Sequence, residues 1–159
     1  MTLQSAVYIL IMLFLAFVLE HIPVPDMLSW FTPSWVMLVI TAMVMFAPAA
    51  FGLWIAVPLG LMLDVEHGSL LGLHVLLVGL HVFLLQLLYR RMYLFNVLQQ
   101  AAVLFLMIMA EQILHYWAVA VMQEGAPPVS LLAPALTTAF LWPWVYVIGY
   151  RSLQRLERA

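Results

Sequence analysis

Long apolar runs broken by short polar punctuation set the pattern of this chain. Residues 3–19 carry no charge and, with about 20 apolar residues needed per bilayer crossing, predict a membrane-spanning helix. The run stops at Glu20-His21-Ile22-Pro23-Val24-Pro25-Asp26, where two prolines and several ionisable groups end a helix. Residues 27–31 predict a short interfacial helix, with Trp30 and Trp35 at headgroup depth in the manner of aromatic belts. Residues 35–47 and 51–63 form two short segments, separated by Pro48 and Gly52, and the second contains Pro58 and Gly60. Such proline-interrupted runs imply tilted or broken helices held inside a bundle, because irregular backbone at membrane depth needs protein or water beside it. Two crossings are expected here, and a re-entrant hairpin is the competing arrangement.

Three longer runs follow. Residues 70–89 make a full span ending in Arg90-Arg91, and residues 94–122 are long enough to tilt or project. Gln123-Glu124-Gly125-Ala126-Pro127-Pro128 breaks that run. Residues 131–150 contain Trp142-Pro143-Trp144 and deliver Arg151, Arg155 and Arg158 beyond them.

Between the third and fourth segments, Asp64, Glu66, His67, Gly68, Ser69 and Gly72 crowd together. A charge at the bilayer centre costs roughly 2.5–3.5 kcal/mol on insertion scales, so these groups belong at an interface or against other helices. Gly68 and Gly72 tolerate the backbone conformations of a tight turn, and the stretch reads as a turn linking two membrane segments.

Composition turns this pattern into a class. The 159 residues are 67% hydrophobic and 8% charged, against about 25% charged in soluble domains, and the mean hydropathy is +1.13. The expectation is an all-α integral membrane protein, a single transmembrane domain over residues 1–159. The net charge of −2 and the lack of a basic stripe point away from nucleic acid. The absence of cysteine excludes disulfides, thiol nucleophiles and thiolate metal sites. The apolar N-terminus lacks a positive n-region and a small-residue cleavage site, so a retained first helix is expected rather than a signal peptide.

All five positive charges are arginines, after segment four and after segment six. The positive-inside rule places both groups in the cytoplasm, which six crossings satisfy with both termini inside. The loops at 20–26, 64–68 and 124–128, each acidic, then face outward.

Candidate chemistry is sparse. His67, His74 and His81 recur every seven residues, so on one helix they share a face. Seven residues rise about 10.5 Å, too far for one metal ion, and a structural role in the bundle interior is the plainer reading. Gly72 and Gly79 share that spacing and suggest a face where a neighbouring backbone packs closely. Glu111 lies inside a hydrocarbon span and is a functional-site candidate for that reason. It pairs with His115 four residues on, or with His74 or His81, or else serves a substrate or proton path. Asp64 and Glu66 have the makings of a general acid/base pair, yet no serine, threonine or lysine forms a nucleophile pattern with them; Asp64 is better read as capping the following helix. Gln86, Gln99, Gln100 and Gln112 suit interhelical hydrogen bonds. No enzyme activity, cofactor or metal is expected.

The ordered set Ile22-Pro23-Val24-Pro25-Asp26, Thr32-Pro33-Ser34-Trp35-Val36, Gly60-Leu61-Met62-Leu63-Asp64, Gly68-Ser69-Leu70-Leu71-Gly72 and Leu141-Trp142-Pro143-Trp144 resembles the MreD family of Gram-negative rod shape-determining membrane proteins over nearly the whole chain. Glu66-His67 depart from the small or uncharged residues expected there. The resemblance implies a non-enzymatic inner-membrane scaffold of the elongation machinery that builds the lateral peptidoglycan wall. It implies association with MreC, and with MreB, RodZ, RodA and the partner transpeptidase of RodA. It also implies a six-helix fold related to the substrate-binding subunits of energy-coupling-factor transporters. Partner-binding or structural roles then fall to Pro23, Pro25, Asp26, Pro33, Trp35, Gly60, Asp64, Gly68, Gly72, Gly79, Trp142, Pro143 and Trp144. The alternative is a vitamin-like binding subunit of a transporter, with Glu111, His115 and His81 lining a pocket open to the outside.

Overall fold

The first charge-free run folds as α1, Leu3–Glu20, in a computed structural model that describes residues 3–25, 31–46, 48, 51–68, 70–122 and 132–157. The expected interfacial helix at 27–31 (save Phe31), together with Asp26, Trp30, Ser69, the loop at 123–128 and Arg158, lies outside the described residues. Five more α-helices follow, and no strand occurs among the described residues.

α2, Trp35–Phe46, is apolar on every side, the mark of a helix buried all round. Leu38, Ile40, Val44 and Met45 are fully enclosed. This short helix is therefore the centre of the bundle, packed against α1, α4 and α6. A 3-10 turn, Leu53–Ile55, leads into α3, Ala56–His67. Pro58 sits in the first turn of α3, where its missing N–H interrupts no helical bond; the break expected inside the run 51–63 falls at the 3-10 turn ahead of Pro58 rather than at the proline itself.

α3 ends at Gly68, whose φ of 57° is left-handed and whose N–H reaches Asp64 O. Gly72, at φ 103°, opens α4, Leu73–Met92. α3 and α4 form a tight antiparallel hairpin because Gly60 lies against the Val75 backbone and leaves no room for a Cβ. Within the chain the close backbone approach is thus at Gly60. Gly72 has no heavy atom within 4 Å of a built Cβ, and Gly79 meets only Ala56 Cβ at 3.7 Å.

α5, Val97–Met122, starts with a reciprocal cap: Asn96 Oδ1 accepts from Gln99 N at 2.9 Å, and Gln99 Oε1 accepts from Asn96 N at 3.1 Å. α6, Leu132–Glu157, stays continuous through Pro143 and runs seven residues past the expected end at 150. It packs against α5, and Trp142 Nε1 donates to the buried Gln100 Oε1 at 3.1 Å.

The helices alternate in direction. At one end the tail of α1 meets the start of α2 (Glu20 Oε2 accepts from Val36 N at 3.1 Å), and Ser34 N donates to Thr138 Oγ1 on α6 at 2.9 Å. At the other end Tyr93 OH donates to Met45 O, and Gln86 Nε2 donates to Phe51 O at 2.8 Å. Burial, and then the nearby Tyr146 and Tyr89, raise the pKa of the Tyr93 phenol above its ordinary value. Leu73–Met92, Val97–Val121 and Leu132–Arg151 are long and apolar enough to cross a membrane. α2 and α3 have 12 residues each, about 18 Å at 1.5 Å per residue, yet both run between the two ends.

Candidate functional site

Two helix N-termini meet at one end of the bundle, and the first four N–H groups of a helix have no partner within it. Each start is capped from the preceding helix. Glu20 on α1 serves α2 through Val36 N. Asp64 on α3 serves α4, with Oδ2 accepting from Gly72 N at 2.6 Å and Oδ1 from His74 N at 2.8 Å. The Asp64 side chain is fully buried, and a carboxylate at a helix N-terminus also opposes the positive end of the helix dipole.

Asp64 Oδ1 additionally accepts from His74 Nδ1–H at 2.9 Å. The His74 ring stacks on His67, with centroids 5.0 Å apart, and tilts against His115 at 5.5 Å. The seven-residue ladder is thereby corrected. His67 is the last residue of α3 and His74 the second of α4, so the intervening turn brings the two rings face to face instead of a helical rise holding them apart. His67 Nδ1–H donates to Leu63 O at 2.9 Å.

These rings line a cavity of about 210 Å³ together with Glu20, Ser34, Glu111, Gln112 and His115, over an apolar wall that includes Leu63 and Leu77. Glu111 and His115 share this cavity, but the buried partner of Glu111 is His81, through Nδ1 and Oε1. His81 is fully enclosed and does not line the space, which corrects the three-residue lining expected from sequence.

Behind Glu111 the polar chain continues. Thr41 Oγ1 donates to Met37 O at 2.8 Å, which uses its one proton, so its oxygen accepts from His81 Nε2–H at 2.8 Å. Thr41, His81 and Glu111 resemble a nucleophile, base and orienting acid in order, but Thr41 and His81 have no exposed surface and the hydroxyl proton faces a main-chain carbonyl. The arrangement is a buried fastening of α2 to α4 and α5. Asp64 and Glu66 part company as well: Glu66 Oε1 meets His21 Nε2 at 2.5 Å. No group of three His, Asp or Glu side chains among the described residues is arranged to hold a metal ion.

The remaining sequence candidates are not brought to the cavity. Pro23 and Pro25 are exposed after α1, Pro33 and Trp35 are half-buried at the start of α2, and Trp144 faces outward on α6. Trp142 is fully buried but packs near Tyr146 and Gln100. Sequence reading missed Thr41, Glu20 and Ser34 as parts of this polar system. Thr41 carried a signal, being the sole polar residue in the run 35–47.

A family model described as rod shape-determining protein MreD matches residues 1–150, and the chain belongs to that family. No solved structure matches it.

Proposed function

We propose that the chain is a non-enzymatic inner-membrane scaffold of the rod-shape complex, crossing the membrane six times with both termini in the cytoplasm and binding MreC in support of lateral peptidoglycan synthesis. Family membership implies a role in rod shape determination within that complex. The observation that carries the scaffold reading is where the polar groups are spent. Asp64, Glu20, Glu111 and His81 join helices to one another, so the ionisable groups of the interior hold shape rather than wait on a substrate. Partners within the assembly are MreC first, then MreB, RodZ, RodA and its transpeptidase.

The alternating helix directions support six crossings, since α2 and α3 each run between the same two ends as α4. A small-molecule-binding role has one observation in its favour, the cavity lined by Glu111 and His115. Its volume of about 210 Å³ lies below the roughly 300–1,000 Å³ of ordinary ligand sites, too small for a vitamin-sized molecule. The decisive experiment is co-expression with MreC followed by size-exclusion chromatography in mild detergent. A stable complex is expected; separate elution of two folded proteins overturns the scaffold reading.

A further inference from the structure

The two flanks of the bundle end at different heights. Where α1 finishes and α2 begins, ring contact sets His115 of α5 level with His74, the second residue of α4, at 5.5 Å between centroids. α5 continues beyond His115 to Met122, about 10 Å further at 1.5 Å per residue. α6 repeats the offset independently. Ser34 N donates to Thr138 Oγ1 at 2.9 Å, so Thr138 lies level with the start of α2. α6 begins six residues earlier, at Leu132, about 9 Å above that level. α5 and α6 therefore overhang the turn between α3 and α4.

The overhang is apolar and uncovered: Trp117, Val121, Leu132 and Leu136 are each more than half exposed. The lower flank carries polar groups at the same end. His21 and His67 are exposed, and Glu20 and Glu66 are partly so. The apolar face beneath them is short. Leu53, Trp54, Val57, Leu61, Met62 and Val65 face outward along the 3-10 turn and α3, a rise of about 24 Å with the last turn included, against a hydrocarbon core of about 30 Å. At the far end Gln86 Nε2 holds the Phe51 carbonyl at 2.8 Å, so this flank starts short of Arg90 and Arg91, which close α4. Trp54 is exposed there, a residue type suited to the membrane interface.

No flat bilayer fits both flanks. One high enough to cover the overhang buries His21, His67 and Glu66 in hydrocarbon, which is costly for ionisable groups. One low enough to leave them wet strands four large apolar side chains in water. We propose that the bilayer is thinned beside α1 and α3, so that its surface steps down by about 10 Å from the α5–α6 flank to the α3–α4 turn. The partner of this surface is the lipid annulus itself, since a bilayer thins around an apolar face shorter than its hydrocarbon core. Leu70 and Leu71, exposed in the turn, seat it at the lowered interface. The step also brings water to the polar cavity lined by Glu20 and His67. The inference rests on the chain's crossing a bilayer and on no protein partner.

The chain has no cysteine, so Leu53→Cys, Val65→Cys and Trp117→Cys each carry a single nitroxide in the full chain, reconstituted in dioleoylphosphatidylcholine vesicles. Collisions with oxygen, which concentrates in lipid, are compared with collisions with a water-soluble nickel chelate. The oxygen-to-nickel ratio is expected to be several-fold higher at 117 than at both 53 and 65. Oxygen dominating at both 65 and 117 means a flat bilayer over the whole end and overturns the proposal. Nickel dominating at 117 means that the overhang stands in water, and overturns it too. Nickel at 65 with oxygen at 53 and 117 means a rigid tilt of the whole bundle in place of thinning, and is equally fatal to it. None of these outcomes touches the scaffold reading, which stands or falls on co-elution.

Discussion

Asp64 and His74 are joined twice: one carboxylate oxygen of Asp64 accepts both the backbone N–H of His74 at 2.8 Å and its ring Nδ1–H at 2.9 Å. The second oxygen takes the Gly72 N–H at 2.6 Å. One buried side chain on α3 therefore sets both where α4 begins and how the His74 ring faces the cavity.

Removing that carboxylate exposes the consequence. Asp64→Ala strips two helix-start amides and a buried imidazole of their acceptor, and a loss of about 3–5 kcal/mol in unfolding free energy is expected. Asp64→Asn, which keeps one acceptor oxygen, is expected to lose less. Reversible denaturation in mixed detergent micelles measures both, and equal stability of Asp64→Ala and the parent contradicts the capping argument.

Glycines separate into tight and loose positions. Gly60→Ala drives a Cβ into the Val75 backbone, which is unable to yield as a flexible side chain does, and about 1–3 kcal/mol of destabilisation follows. Gly79→Ala makes an ordinary contact at 3.7 Å and is expected within about 0.5 kcal/mol of the parent. A melting series on the two variants separates these outcomes; the reverse ranking contradicts the hairpin packing.

His81 and Glu111 form a second buried pair, and its members are interdependent. Truncating Glu111 alone leaves an imidazole buried without its partner, at about 3–5 kcal/mol, whereas replacing both residues by leucine is expected to recover most of the loss. A double-mutant cycle reads the coupling directly. Additive single losses mean that the two residues act separately.

Topology is testable because the chain has no native cysteine. Single cysteines at 91 and 151 are expected to resist a membrane-impermeant thiol reagent applied to the outside of intact cells with a permeabilised outer membrane, and cysteine at 125 to react. Labelling of 91 and 151 from opposite sides eliminates the six-crossing arrangement.

Several elements were readable from the residue pattern because lipid imposes a demand that local sequence must answer. A charge-free run has to form its own backbone hydrogen bonds at membrane depth, so α1, α2, α4, α5 and α6 lie where the apolar runs lie. Their ends moved by a few residues: α4 begins at 73 rather than 70, and α6 continues to 157. End positions depend on caps, and the cap of α4 comes from Asp64, eight and ten residues away from the amides it holds.

Membrane character and the all-helical class were thus legible in the chain's own order of apolar runs and prolines, and the family in the ordered motifs along residues 1–150 that its model matches. Only the tertiary structure decided which polar groups meet. The left-handed glycines at 68 and 72 fold His67 back onto His74, and α5 brings Glu111 to His81 across thirty residues. Periodicity describes one helix at a time, whereas a buried carboxyl–imidazole contact or a close glycine contact depends on how two helices lie against each other, and that relation is set by the packing of the whole bundle.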